Sequence, residues 1–164
     1  MTRNTAREIA IHMVFSLSFE DINAQELLSS QLTKERFEEL APDMPLYTQY
    51  PNEKQEQYIR ELVSGVFAHG PELDDYISRY AVGWSFARIP RMAAAIMRTA
   101  MYEVLYMPDV PNAAAINAAV EIAKGYEPSE VVSFVNGILG TFVRTECPEE
   151  TKQPAQETEK EMED

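Results

Sequence analysis

The chain has 164 residues, 45% of them hydrophobic, with a single cysteine and a formal net charge of −13. That is enough apolar material for one domain, or two small halves sharing a core, and it excludes a chain that is disordered throughout. The lone Cys147 excludes an internal disulfide framework and a cysteine-rich zinc site, and fits a reducing cytoplasm.

The N-terminal stretch MTRNTAREIAIH lacks an apolar core followed by a small-residue cleavage site, so no secretory leader is expected. No apolar run reaches the length of a membrane span. Thr5 and Glu8 have capping-box spacing and predict the start of a first helix. Its apolar face is Ala10, Val14 and Leu17, flanked by Ile9, Met13 and Phe15. Asn23 with Glu26 repeats the cap pattern before QELLSSQL, and Thr33 caps a third helix, KERFEELA. Residues 42–51, PDMPLYTQYP, hold three prolines and two tyrosines and predict a loop. Its aromatics are expected to pack back onto the bundle by default, with contact to a partner as the alternative.

Asn52 caps the long helix EKQEQYIRELVSGVFAHG, where Tyr58, Leu62 and Val66 share a face with His69 at its end. Gly70 is expected to close it in left-handed geometry. Pro71 suits the first turn of the next helix, lined by Leu73, Tyr76, Ile77 and Tyr80. Pro90 likewise opens RMAAAIMRTAMYEVLYM, whose buried face is Ile96, Ala100, Val104 and Met107. AAAINAAVEIAKGY follows, with Ile116, Val120 and Ala123 in register. Pro128 and Ser129 open the last helix. It contains FVNGILG, whose Asn136-Gly137 pair read alone is a hairpin signal. Val131, Val135, Ile138, Leu139 and Phe142 recur at steps of three and four, so the stretch is expected to be helical. Glycine in a helix interior costs ~1 kcal/mol relative to alanine. Close approach of another helix at Gly137 and Gly140 is therefore expected, with Asn136 partly buried and bonded to backbone.

Seven or eight helices and no long alternating segment predict an all-α fold, a compact helical bundle. Residues 1–145 are expected to form the folded domain. The acidic, Glu-, Gln- and Pro-rich residues 146–164, which carry six of the net negative charges, are expected to form a solvated tail. His12 and His69 stand alone on helices, without metal-ligand spacing. There is no phosphate-binding glycine loop and no nucleophile elbow, and nothing joins a nucleophile to a base and an oxyanion stabiliser. No enzyme, cofactor or metal is expected.

Three stretches, TAREIAIHMVFSL, IMRTAMYEVLYMPDVPNAAAINAAVEIAKGY and SEVVSFVNGILG, together resemble the NusB family of transcription antitermination factors. The blocks I-N-x-A-V-E-x-A-K and F-V-N-G-x-L are specific as a pair, and the resemblance covers about residues 3–144. It implies two helical sub-bundles packed together in a cytoplasmic protein with no catalytic chemistry. The implied function is binding of single-stranded boxA RNA from rRNA leader transcripts together with the ribosomal protein NusE, acting indirectly on RNA polymerase. The RNA side that the resemblance implies matches Arg3, Arg7, Phe15, Tyr126, Glu130 and Phe134. Asn117, Asn136 and Gly137 match its structural signature, and the helix pair in 71–107 is suggested to contribute to NusE contact. For Phe15, core packing and RNA contact stay equally open.

The departures concern charge. Only Arg3 and Arg7 stand where many relatives carry an arginine cluster, Ala118 replaces the usual glutamate, and NAAA precedes Ile116 without a basic residue. Ala93 and Ala94 stand where an acidic-basic pair is common. Fewer cations release fewer counterions, so the chain alone is expected to bind boxA weakly and to need its partner. Two other readings remain. One is a protein-binding or homodimerising scaffold with weakened RNA binding. The other is the accessory domain of an rRNA-modifying methyltransferase, which expects a catalytic domain downstream of the helices, where the acidic stretch stands.

Overall fold

The computed structural model describes residues 1–148. The acidic stretch expected as a tail lies, from residue 149 on, outside the described residues. Eight α-helices and two short 3-10 turns make up the described fold. The all-α expectation holds. The chain divides into two compact units, the first Met1–Ala68 and the second beginning at His69.

The first unit contains α1 (Arg3–Leu17), α2 (Ala24–Gln31), α3 (Lys34–Leu40) and α4 (Glu53–Ala68), with a 3-10 turn at Pro45–Tyr47. α1 packs along α4, and α2 lies against both. Ile9, Ala10, Met13 and Val14 from α1 are buried in this unit, as are Ile59, Leu62 and Val63 from α4. α1 starts one turn earlier than Thr5 and Glu8 predict. Thr2 is its cap, with Oγ1 accepting from the Thr5 backbone N–H at 3.1 Å. A threonine two residues from the terminus already supplies the oxygen the first turn needs, so Thr5 becomes part of the helix.

The other caps fall where the spacing places them. Asn23 accepts from the Glu26 N–H at 2.9 Å and Thr33 from the Arg36 N–H at 3.1 Å. Asn52 and Gln55 exchange bonds of 2.9 and 2.8 Å, a complete capping box at the head of α4. The proline-rich connection folds back, as expected. Tyr47 is buried edge-on to Phe37 at 4.9 Å between ring centroids, and Tyr50 meets the same ring at 5.0 Å. The Tyr47 hydroxyl lies 2.9 Å from His12 Nδ1 on α1. The Tyr50 hydroxyl donates to the Leu32 carbonyl at 3.1 Å.

The second unit contains α5 (Gly70–Tyr80), α6 (Arg91–Tyr106), α7 (Asn112–Lys124) and α8 (Ser129–Glu146), with a 3-10 turn at Phe86–Arg88. α6 is its centre, touching α5, α7 and α8. Eleven of its residues are buried, Glu103 and Thr99 among them. Thr99 satisfies its hydroxyl on the Ala95 carbonyl at 2.8 Å. Arg98 ties α6 to α5 by a 2.5 Å ion pair with Asp74.

Gly70 does not close the preceding helix in left-handed geometry. It is the first residue of α5, and only Gly83, at φ 85°, takes positive φ among the described residues. The break between α4 and α5 is a single residue, His69, at φ −106° and ψ 17°. On α7 the buried stripe is Ala115, Ala118, Ala119, Ile122 and Ala123, while Ile116 and Val120 sit at its edge. Alanines carry the contact because they let α7 approach closely, and a pattern read from the larger side chains misses that.

α8 is helical through FVNGILG, and Val131, Val135, Ile138, Leu139 and Phe142 form its buried face. The reason expected for its glycines is not the one found. Asn136 and Gly137 lie on the exposed side, and a Cβ at Gly137 would meet nothing within 4 Å. At Gly140 the nearest atom is the Arg144 guanidinium, 3.1 Å away on the same helix. At neither glycine does a second helix supply the nearest atoms.

Candidate nucleic-acid interface

Two groups of residues carry the chemistry, one in each unit. In the first, Arg3 and Arg7 stand one turn apart on α1, and both are buried, 5% and 1% exposed. Their guanidiniums lie 4.7 and 5.9 Å from the centroid of the Tyr58 ring on α4. The ring face attracts both cations. Arg7 also donates to Asn4 Oδ1 at 2.5 Å. Arg3 is less well served: its Nε and Nη1 are enclosed and have no hydrogen-bond partner. An enclosed donor without an acceptor costs about 1–3 kcal/mol, more for a charged group, so Arg3 gains by meeting an anion. Phe15 lies two turns further along, half-buried and edge-on to Phe19 at 4.8 Å. Phe19 itself is 57% exposed. It escapes sequence reading because it falls beyond the last residue of α1, though its spacing of four from Phe15 in the polar run SFED is a usable signal.

In the second unit, Tyr126 follows the C-terminus of α7 and is 38% exposed. Glu130 is exposed in the first turn of α8, and Phe134 is half-buried one turn later, so both share a side of the helix. Burial raises the carboxyl pKa of Glu127 above its ordinary value. The Phe134 ring rests on Trp84 at 4.5 Å with the planes 36° apart. Trp84 comes from the connection between α5 and α6, fifty residues upstream, and only the fold brings the two rings together.

A separate surface on α5 and α6 is aromatic. Tyr106 stacks on His69 at 4.2 Å and lies 5.2 Å from Tyr102. Its hydroxyl donates to Glu72 at 2.7 Å, a bond lost on ionisation, which pushes its pKa up to about 12. Tyr106 is still 38% exposed. Of the structural signature, Asn117 is exposed on α7, like Asn136 and Gly137 on α8. Among the described residues no cluster of His, Cys, Asp or Glu could hold a metal ion, and no helix is long and apolar enough to cross a membrane.

Known proteins resemble the chain along most of its length. The transcription antitermination protein NusB of Acetivibrio thermocellus is 36% identical over 145 residues, covering 88% of this chain and 90% of that protein. The protein of the same name from Carboxydothermus hydrogenoformans is 38% identical over 140 residues, covering 85% and 91%. Among solved structures, T. maritima NusB superimposes with a TM-score of 0.73 at 27% identity, covering 88% of this chain and 92% of that one. A chain from a crystal structure of the antitermination factors NusB and NusE in complex with double-stranded RNA shares the fold at a TM-score of 0.68 and 22% identity, covering 87% of this chain and 96% of that one. The profile of the NusB family matches residues 4–144, and the chain belongs to that family.

Proposed function

We propose that this protein is a non-enzymatic transcription antitermination factor of the cytoplasm. It binds boxA-type single-stranded RNA of rRNA leader transcripts together with the ribosomal protein NusE. The observation that carries this reading is the family match across residues 4–144, with relatives named as antitermination proteins at 36–38% identity. The mechanism is assembly: one RNA and one protein held on the same chain, which then act on RNA polymerase through the complex.

The assigned RNA contacts are Arg3, Arg7, Phe15, Tyr126, Glu130 and Phe134. Exposed ring faces suit unstacked bases, each stack being worth ~1–3 kcal/mol, and a carboxylate such as Glu130 accepts from base amino groups. Arg3 supplies charge by leaving the Tyr58 ring for a phosphate, which satisfies its enclosed nitrogens. The exposed aromatic face of α5 and α6 is assigned to NusE, where Tyr106 offers a large ring with an anchored hydroxyl. Size-exclusion chromatography of the chain with NusE tests the reading. Co-elution that is strengthened by boxA RNA is expected. Separate elution of the two proteins, with or without RNA, overturns it.

A further inference from the structure

The Phe134 ring does not stand alone at the head of α8. Its neighbour Trp84 is the only tryptophan in the chain, and it occupies a connection whose backbone is set by Gly83 at φ 85°. A side chain with a Cβ is strained at that φ, so the glycine fixes the path that delivers Trp84 to Phe134. Val82, Gly83 and Ser85 around it are exposed, and Trp84 itself is only half-buried. The indole sits in a surface turn against a second ring, instead of in the core, and the residue is partly open to solvent. The ring centroids are 4.5 Å apart and the planes are inclined by 36°, so each ring covers part of the other and holds it in place. Arg88 follows four residues later in the same connection and is exposed, so a cation stands on the segment that carries the platform.

We propose that Trp84 is a second base-stacking residue, which forms with Phe134 one platform for a base of single-stranded RNA. Arg88 serves the adjoining phosphate. The occupant is a nucleobase: the two rings offer π-face, Glu130 on the same side of α8 offers an acceptor for base amino groups, and Arg88 offers a cation for phosphate. The proposal rests on the RNA-binding reading above and adds a residue from a different element to it.

Because the chain has one tryptophan, its emission reports this position without any substitution. Wild-type protein is titrated with a short boxA RNA, following tryptophan emission and, in parallel, the anisotropy of end-labelled RNA. The expected result is quenching that saturates with the anisotropy. Trp84→Ala is expected to bind roughly 5- to 150-fold more weakly. Trp84→Phe, which keeps a ring, stays near wild type. RNA binding that leaves the emission unchanged, or equal affinity for a folded Trp84→Ala variant, overturns the platform while leaving the RNA reading intact. Absence of any anisotropy change, with NusE as well as without it, overturns both.

Discussion

At the scale of single residues, Gly137 on α8 and the pair Arg3 and Arg7 on α1 behave unlike what their place in the sequence suggests. Gly137 lies mid-helix with open space where a side chain would stand. Its cost to α8 is therefore the plain helix-propensity cost, with no packing gain against it. Gly137→Ala is expected to raise unfolding stability by ~1 kcal/mol in a denaturant titration, and a loss of stability would show that something does approach this face. Arg3 and Arg7 are the converse case. The family resemblance puts both on the RNA side, yet the fold lays both on Tyr58. Nothing local to TRNTAR announces this, because the ring is more than fifty residues away. Trp84 with Phe134 is hidden for the same reason.

At the scale of elements, most helix boundaries were legible because caps and prolines mark them chemically. Asn23, Thr33 and Asn52 each accept the backbone bond that their spacing predicts. A boundary is harder to read where two signals compete, as at Thr2 and Thr5, and a buried face where alanines make the contact, as on α7. The packing of the proline-rich connection onto α1 depends on His12 and Tyr47. Burial lowers the His12 pKa below 6.5, and the nearby Glu8 opposes that only in part. The unfolded chain therefore binds the proton more readily than the folded one. The stabilisation from neutral His12 is full above pH 6.5 and is lost as pH falls through 6.5 toward the lower folded value. Melting temperatures measured between pH 8 and 5 should fall toward acid more steeply for wild type than for His12→Gln. Parallel curves would remove His12 from the account.

At the scale of the whole molecule, the all-α fold is legible from helical periodicity along the chain, and the family from two spaced blocks of sequence. The distribution of charge over the functional surface is not. A net charge of −13 opposes a polyanion, and the two N-terminal arginines are enclosed in the first unit, so that on the proposed reading only Arg3 of the two, on leaving Tyr58, adds a phosphate contact. RNA affinity must then come chiefly from stacking, and from a partner that adds cations. The most direct test is filter binding of boxA RNA by this protein, alone and with NusE, across a salt series. The account predicts weak retention and a shallow salt dependence for the protein alone, and tight, boxA-selective retention once NusE is present. Tight, boxA-selective binding without NusE, or none with it, would contradict the account.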